Sequence, residues 1–282
     1  MLFGASMFFT DYSMGAGELA QALEARGFES VWAPEHSHIP LARSTAFPLG
    51  GELPKQYYDV MDPYVSLTYA AAVTKKLKLG TGVCLVIQRD TIQTAKLVAS
   101  LDQVSGGRFI FGIGGGWNAE EMEDHGTVYE TRFKRLREQI EAMKEIWTKD
   151  KPEYHGELVD FPAMMTWPKP VQKPHPPILV GGGFPQAARR AIRYGDGWCP
   201  VGRTGSSLLE VLEKYRQMAR DAGRDPQSVP VTLFNPAEDE SELTRYRDMG
   251  IARVVPFLLS EERDKILPVL DRWATLIRRT AR

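Results

Sequence analysis

The sequence predicts an α/β fold, a (β/α)8 TIM barrel, and three observations lead to this prediction. Eight short apolar segments alternate strictly with eight helical segments along the 282 residues, and strands separated by helices are most simply parallel. Several strands end in glycines, as parallel strands do where they border a ligand site. A doubly wound open sheet is the alternative, but no G-x-G-x-x-G follows the first strand. Because a barrel of this kind takes about 250 residues, residues 1–282 are predicted to form a single domain.

The predicted strands are short apolar runs bounded by turn residues. The fourth is the clearest, because Phe109, Ile110, Phe111 and Ile113 form a continuous hydrophobic run, which is typical of a strand buried on both faces. In chain order the strands cover 2–9, 30–33, 77–86, 108–113, 178–183, 197–201, 229–234 and 253–258.

A segment with helical character follows each strand. The fourth is strongly amphipathic, since the apolar residues from Phe133 to Trp147 recur on one face. Asp62 and Pro63 form a typical helix start, and Gly27 and Gly106 suit left-handed helix ends. The helices cover 18–26, 63–76, 91–104, 129–149, 185–194, 207–222, 241–249 and 261–278. Insertions at 37–62 and 150–176, after strands two and four, show no periodicity, and long irregular connections are usually functional or disordered.

Composition narrows the class of protein. With 43% hydrophobic residues, 25% charged residues and a formal net charge of −1, nothing in the charge favours nucleic acid or an anionic membrane. Two cysteines form neither a disulfide framework nor a zinc cluster. The first residues lack a basic leader and no apolar run approaches a membrane span. We therefore expect a cytoplasmic globular protein.

In such barrels the chemistry lies at the C-terminal ends of the strands. Those ends carry glycines, aromatic residues, one imidazole and one guanidinium, but few carboxylates, which argues against a glycosidase and against a metal site built on oxygen ligands. The residues at these ends are Phe8, Phe9, Glu35, His36, Gly82, Val83, Gly114, Gly115, Gly116, Trp117, Asn118, Gly181, Gly182, Gly183, Trp198, Arg203 and Asn235.

Two of these ends indicate specific chemistry. Gly181, Gly182 and Gly183 lead directly into a helix, whose first N–H groups favour a phosphate, and Arg203 is placed to add a charge-assisted contact. His36 follows strand two beside Glu35, and because neighbouring residues on a strand point to opposite faces, one of the two is expected to enter the barrel mouth. A neutral imidazole there would hydrogen-bond a substrate or exchange a proton with it. A plain glycine turn and a loop histidine bonded to backbone are the alternatives.

Aromatic residues supply the candidate pocket walls. Phe9, Trp117 and Trp198 stand at strand ends, where they would wall a planar cofactor or substrate; ordinary packing under long loops is the alternative. The pair His36 and His38 also resembles the H-x-H of zinc-dependent barrel hydrolases. A zinc site of that kind requires further ligands on later strands, and strands five, six and eight end without His or Asp. No metal site is therefore predicted.

Five ordered landmarks together resemble the luciferase-like superfamily of barrel oxidoreductases, and most closely its coenzyme F420-dependent branch. They are 23–32 with 34–36, LEARGFESVW and PEH; 79–83, LGTGV; 105–109, SGGRF; 112–118, GIGGGWN; and 177–183, PILVGGG. The resemblance implies a redox enzyme that binds F420 at the barrel mouth and transfers a hydride to or from a small organic substrate. An FMN-dependent monooxygenase with a flavin reductase partner is the main alternative. A metal-dependent hydrolase and a non-catalytic flavin-binding homologue are further ones.

The resemblance also implies roles for particular residues. Gly82–Val83 matches a non-prolyl cis peptide that supports the cofactor ring, and Gly181 to Gly183 match a phosphate-binding turn. Glu35 and His36 match an acidic–histidine pair that touches the ring or substrate and are the candidate catalytic residues. Gly114, Gly115, Gly116, Asn118 and Arg203 complete the candidate cofactor site. One departure stands out, because Gly115 occupies the place of a catalytic Glu in some F420-dependent dehydrogenases. Relatives are often dimers, so a homodimer is expected.

Overall fold

A computed structural model describes residues 1–201 and 206–280. Eight parallel strands form the barrel: β1 (Leu2–Met7), β2 (Ser30–Ala33), β3 (Lys78–Thr81), β4 (Phe109–Ile113), β5 (Ile178–Gly182), β6 (Gly197–Pro200), β7 (Thr232–Phe234) and β8 (Arg253–Val255). Their spatial order is β6-β5-β4-β3-β2-β1-β8-β7. A parallel bridge between Trp198 and Val231 joins the two ends of this sheet. The predicted (β/α)8 barrel is therefore confirmed.

The helices lie outside this barrel. They are α1 (Ala16–Ala25), α2 (Gln56–Asp59), α3 (Pro63–Val73), α4 (Thr91–Ser105), α5 (Ala119–Asp124), α6 (Arg132–Thr148), α7 (Gln186–Tyr194), α8 (Ser206–Asp221), α9 (Glu240–Asp248) and α10 (Arg263–Thr280). Short 3-10 turns cover Val86–Gln88, Tyr129–Thr131 and Pro226–Ser228. In the insertion 150–176, Tyr154–His155 pairs with Asp160–Phe161 as a small antiparallel hairpin. No helix in the described ranges is long and apolar enough to cross a membrane.

The predicted helix boundaries follow from local chemistry. The Asp62 carboxylate accepts hydrogen bonds from the N–H groups of Tyr64 and Val65 at the start of α3, as expected of a cap residue. Gly106 ends α4 with a φ of 66°, a left-handed conformation that glycine adopts without steric cost.

Several strands are shorter than predicted, and for strands three and eight the structure shows the reason. Strand three was predicted to reach residue 86, but β3 ends at Thr81, a cis peptide joins Gly82 to Val83, and the chain turns into a 3-10 helix at Val86. Residues 84–87 are apolar and buried although they do not continue the strand, so hydrophobicity alone does not mark the change. Strand eight is interrupted at Pro256, which has no N–H for the ladder; Phe257–Leu258 continues beyond it, paired with β1.

The barrel interior is closed below the strand ends by Trp32. Its side chain is fully buried and packs with Ile110, Leu179, Cys199 and Val255 in a cluster separate from the main core between strands and helices. Glycines on the neighbouring strands make room for the indole. A Cβ on Gly80 would lie 2.3 Å from Trp32 Cε3, and one on Gly4 would lie 2.7 Å from its Nε1. These contacts set the floor of any ligand site at the opposite end.

Candidate functional site

The glycine-rich exits of β4 and β5 meet around a single side chain, that of Val83. A Cβ on Gly114 would lie 2.6 Å from Val83 Cγ2, and one on Gly181 would lie 3.0 Å from Val83 Cγ1. The Cys84 N–H donates to the Gly112 carbonyl at 2.7 Å, which ties this segment to β4. The cis peptide Gly82–Val83, expected from the family resemblance, is present. The structure thus brings four of the predicted cofactor residues, Gly82, Val83, Gly114 and Gly181, into one place.

The turn after β5 is held in a fixed shape. Gly182 has a φ of 134°, which a side chain would oppose, and its carbonyl accepts the Trp198 indole N–H at 3.0 Å. A Cβ on Gly183 would meet no atom within 4 Å, so the turn opens into free space there. The helix α7 starts at Gln186 with no side-chain cap bond, and its first N–H groups are suited to an anion.

This arrangement corrects the prediction for Trp198. The residue was assigned to the pocket wall, but its ring is fully buried and packs on Tyr215 with 4.9 Å between ring centroids. Its indole N–H is already used by Gly182. Trp198 therefore supports the glycine turn from behind, because its position on β6 places it in the core side of the barrel wall.

Arginines gather beside both glycine turns. The Arg190 guanidinium lies 3.8 Å from the Phe133 ring centroid, and Phe133 packs against Gly115, where a Cβ would be only 2.4 Å from the ring. Arg132 lies over the same ring at 4.4 Å. Burial lowers the pKa of Arg190, and no carboxylate pairs with this guanidinium among the described residues. A half-buried cation of this kind is a candidate partner for an anionic ligand.

His36 is the imidazole at the barrel mouth, and it is held by a carboxylate from elsewhere in the chain. Its Nδ1 lies 2.7 Å from Glu121 Oε2, and the Ser37 N–H donates to Glu121 Oε1 at 3.0 Å. The side chains of His36 and Glu121 are 7% and 0% exposed. A carboxylate on Nδ1 fixes the ring's orientation and favours the tautomer with its proton on that nitrogen. The other ring nitrogen, Nε2, is then left to meet a ligand.

Sequence reasoning missed Glu121. It lies on α5, a six-residue helix whose sequence, AEEMED, has no apolar repeat to reveal it. One signal was available, since Asn118 is a favourable cap residue and acidic residues are enriched in the first helical turn.

Glu35 has a different position from the one predicted. Its oxygens accept the Leu85 N–H at 2.7 Å and the Arg89 Nε–H at 2.5 Å, and Arg89 also bonds Asp62 at 2.5 Å. The Glu35 side chain is 5% exposed. Because both oxygens are taken by these donors, Glu35 fixes the chain after β3, and the prediction that it shares the catalytic position with His36 is corrected. The Arg89 guanidinium pairs with Glu35 and Asp62, so it is not available to bind a ligand.

An aromatic wall surrounds His36. Its ring lies 5.2 Å from the Tyr57 centroid and 5.7 Å from the Trp117 centroid, and Phe47 contacts both of these rings. Phe8 joins this wall through Tyr57, at 4.5 Å. The predicted wall residue Phe9 instead lies in the main core, 2% exposed, because successive strand residues face opposite sides.

Asn118 is a buried amide at the turn after β4. The residue is 1% exposed, yet neither its side-chain nitrogen nor its oxygen has a hydrogen-bond partner among the described residues. Buried polar groups are nearly always paired, so an amide with free donor and acceptor beside the Gly114–Gly116 turn fits a polar ligand. Arg203, also predicted to bind the cofactor, lies outside the described residues.

The two histidines of the H-x-H pair have separate surroundings. His38 Nε2 lies 2.9 Å from Asp124 Oδ2, and its Nδ1 lies 2.9 Å from Ser37 Oγ, whereas His36 bonds Glu121. Ser37 Oγ also lies 2.7 Å from His125 Nε2. In the part of the chain that the structure describes, no group of three or more His, Cys, Asp and Glu side chains is arranged to hold a metal ion.

Comparisons with known proteins agree with this geometry. The sequence profile of the family described as luciferase-like monooxygenase matches residues 14–264. An uncharacterised protein of Mycobacterium tuberculosis is 36% identical over 280 residues, which cover 97% of this chain and 98% of that protein. An F420-dependent hydroxymycolic acid dehydrogenase of the same species is 28% identical over 82% of this chain and 61% of its own length. The structure of an F420-dependent secondary alcohol dehydrogenase superposes with a TM-score of 0.79 at 19% identity, covering 99% of this chain and 98% of that one.

Proposed function

The chain belongs to the luciferase-like monooxygenase family, which confirms the resemblance drawn from its landmarks, and from that premise we propose a coenzyme F420-dependent oxidoreductase that transfers a hydride to or from a small organic substrate. The observation that carries the proposal is His36, held by Glu121 at 2.7 Å at the same end of the barrel as the glycine turns after β4 and β5. The F420-dependent dehydrogenase at 28% identity supports the choice of cofactor.

The residues at the mouth fit a deazaflavin with its phosphate. Gly82–Val83 would support the ring, and the free amide of Asn118 would bond one of its polar edges. The open space at Gly183, the start of α7 and the Arg190 guanidinium would hold the phosphate. The bound cofactor would supply the carbon that accepts or gives the hydride. The protein itself contributes binding, orientation and exclusion of water.

His36 is the group that would move the proton. When a substrate alcohol is oxidised with loss of a hydride, its O–H bond would break and its proton would pass to His36 Nε2, so that atoms and charge balance. Glu121 on Nδ1 stabilises the imidazolium that results. In the reverse direction His36 would protonate the substrate oxygen. Trp117 and Tyr57 would keep an organic, partly apolar substrate against this nitrogen.

A basic groove between α6 and α7 favours the deazaflavin over FMN. It has a volume of about 440 Å³ and is lined by Phe133, Lys134, Arg137, Arg189, Arg190, Arg193 and Tyr194. Burial raises the pKa of the Tyr194 phenol to about 12, and its hydroxyl has no partner among the described residues. Through Phe133 and Arg190 the groove is continuous with both glycine turns. FMN ends at its phosphate, whereas the deazaflavin carries further carboxylates. Arg189 and Arg193 would hold them, since Lys134 and Arg137 already pair with Glu157 and Glu141.

Titration of the purified protein with F420 and, separately, with FMN tests the proposal. We expect tight binding of F420 alone, seen as tryptophan quenching, and an affinity loss of about tenfold or more in Arg189→Ala/Arg193→Ala. The matched control Lys214→Ala/Arg220→Ala removes two exposed cations of α8 and leaves affinity unchanged. Tight binding of FMN, with the same affinity in the wild type and in both double variants, would favour the FMN-dependent monooxygenase. Binding of both cofactors without turnover of any reductant or substrate would favour a non-catalytic homologue.

A homodimer and a cytoplasmic location belong to the same proposal. Val65 and Tyr69 on α3, and Val104 on α4, are large apolar side chains that are 58–69% exposed, and such residues on adjacent helices suit a subunit interface. Both cysteines are free and buried, which is compatible with a reducing compartment. Light scattering of the purified protein tests the dimer, with Val65→Asp/Tyr69→Asp expected to give a folded monomer.

A further inference from the structure

A chain of hydrogen-bonding groups leads from His36 to the protein surface. His36 Nδ1 lies 2.7 Å from Glu121 Oε2, and Glu121 Oε1 lies 3.5 Å from Ser37 Oγ, the longest link. From Ser37 Oγ the chain branches to His125 Nε2 at 2.7 Å and His38 Nδ1 at 2.9 Å. The His38 branch continues to Asp124 Oδ2 at 2.9 Å.

Exposure rises along this chain. Glu121 is fully buried and the His36 side chain is 7% exposed, whereas the His38 and Asp124 side chains are 40% and 59% exposed. Ser37 and His125 are also exposed. The chain therefore begins at Nδ1 of the imidazole whose other nitrogen, Nε2, is the proposed reacting atom, and it ends in bulk water. Each member between these ends has an atom that accepts a proton and an atom that gives one.

We propose that this chain, defined here as the exit chain of Glu121, Ser37, His38, His125 and Asp124, exchanges the His36 proton with solvent. The inference rests on the proposed function for its role in turnover, since substrate oxidation would leave a proton on His36 and substrate reduction would remove one. Its residues are relay residues that act through His36 and do not touch the substrate.

The steps balance in atoms and charge. The N–H bond at His36 Nδ1 breaks as an O–H bond forms on Glu121 Oε2. The carboxyl group then turns about its last bond, a soft two-fold torsion, and gives that proton to Ser37 Oγ. The hydroxyl's own proton passes to His125 Nε2 or His38 Nδ1, and the imidazole that receives it loses its other proton to water or to Asp124. These steps leave His36 neutral with its proton on Nε2, which is the form that donates to a substrate oxygen. Substrate oxidation therefore uses this direction, and a following reduction uses the reverse.

The Ser37 hydroxyl is not required to anchor Glu121. The backbone N–H of Ser37 already donates to Glu121 Oε1 at 3.0 Å, and His36 binds the other oxygen. Removing the hydroxyl therefore interrupts the chain and leaves both of these bonds in place. Ser37 is exposed, so its replacement creates no core cavity, and Ser37→Thr restores a hydroxyl at the same position.

Proton exchange at His36 can be measured without substrate or cofactor. With imidazole nitrogens labelled with 15N, five histidines give signals, and saturation transfer from water reports how fast the His36 Nδ1–H exchanges. We expect Ser37→Ala to slow this exchange by about tenfold or more, Ser37→Thr to restore it, and His38→Asn/His125→Asn to match Ser37→Ala. Added free imidazole, which shuttles protons, should accelerate exchange in Ser37→Ala more than in the wild type.

A matched control and a second readout keep the interpretation clear. Ser44→Ala removes an exposed hydroxyl that bonds Glu120 on the same helix, and it should leave His36 exchange unchanged. Unaltered His36 ring 15N shifts in Ser37→Ala would show that the His36–Glu121 bond is intact. An exchange rate in Ser37→Ala equal to that of the wild type, with those shifts intact, would overturn the exit chain. Failure to bind F420 would instead overturn the proposed function and leave this result standing.

Discussion

Glu121 Oε2 lies 2.7 Å from His36 Nδ1, although 85 residues separate the two in the chain. The link joins the end of β2 to α5, so the orientation of the imidazole depends on an element that belongs to a different strand–helix unit. Neither side chain is exposed enough for water to replace the other. The pair therefore fixes the site and stabilises the fold through one contact.

Replacing Glu121 by Ala should destabilise the protein. The imidazole of His36 and the N–H of Ser37 would lose their shared acceptor, and leaving buried donors unpaired costs about 1–3 kcal/mol. Urea unfolding at unchanged m-value measures the loss. Glu123→Ala on the same helix, at an exposed position, should change the free energy of unfolding by less than about 0.5 kcal/mol. Equal effects of the two substitutions would contradict the prediction.

The ion pair of Glu35 and Arg89 should behave as a buried structural pair. Arg89→Met leaves an uncompensated carboxylate that is 5% exposed, and breaking such a pair costs about 3–5 kcal/mol. The double variant Arg89→Met/Glu35→Gln removes the buried charge as well, so it should be more stable than Arg89→Met alone. Urea unfolding of the single and double variants checks this. Strictly additive losses would show that the two side chains do not interact.

Gly114→Ala and Gly183→Ala should separate packing from ligand binding. The new methyl at Gly114 would lie 2.6 Å from Val83 Cγ2, and such overpacking costs about 1–3 kcal/mol of stability. At Gly183 the methyl meets no protein atom within 4 Å, so the free energy of unfolding should not change. The affinity for F420 should fall, because the methyl would occupy space proposed for the phosphate. Unfolding and F420 titration measure the two effects. Full affinity in Gly183→Ala would place the phosphate away from this turn.

The two cysteine thiols should be unreactive toward thiol reagents in the native protein. Burial raises the pKa of Cys199 to about 12 and that of Cys84 well above its ordinary value, and the thiolate is the reactive form. At about pH 8, close to the ordinary thiol pKa, an aromatic disulfide reagent should label neither thiol within minutes. The same chain in denaturant should label at both. Rapid labelling of the native protein would indicate local opening at β6 or after β3.

Glu120 should make the insertion 37–62 sensitive to acid. Its carboxylate accepts hydrogen bonds from Ser44 Oγ, at 2.6 Å, and from the Thr45 N–H, at 3.0 Å, and bonds to these two residues hold its pKa well below the ordinary value. Because the pKa of Glu120 is lower in the folded state, its ionised carboxylate stabilises the folded protein at pH values above the ordinary glutamate pKa of about 4.3. This stabilisation is lost as the pH falls from there toward the lower folded pKa.

Hydrogen exchange of residues 37–62, corrected for the intrinsic rate at each pH, measures this anchoring. The wild type should keep its protection at neutral pH and lose part of it on acidification. Glu120→Gln should show the loss at neutral pH already, while Glu123→Gln should resemble the wild type. Protection that does not depend on Glu120 at any pH would show that other contacts hold the insertion.

The sequence was sufficient for the barrel because eight strands and their glycine-rich ends are local patterns. The run 109–113 is buried on both faces as its composition implies, and Gly106 ends α4 as its position indicates. Hydrophobic pattern did not mark the end of β3, because residues 82–87 are apolar whether they continue a strand or form a turn. The cis peptide at Gly82–Val83 was indicated by the family resemblance alone. Glu121 was missed for a related reason: a short acidic helix looks like exposed surface until the fold places His36 against it.

Trp32, which closes the barrel below the site, has a kinetic consequence. With the floor sealed by an indole between Gly4 and Gly80, cofactor and substrate would share the opening at the strand ends. The ligand that binds deeper in the pocket must bind first and dissociate last, so we expect ordered binding. Product release would then depend on the movement of the outer ligand, and the depth of the pocket would be the same for every substrate that the insertions admit.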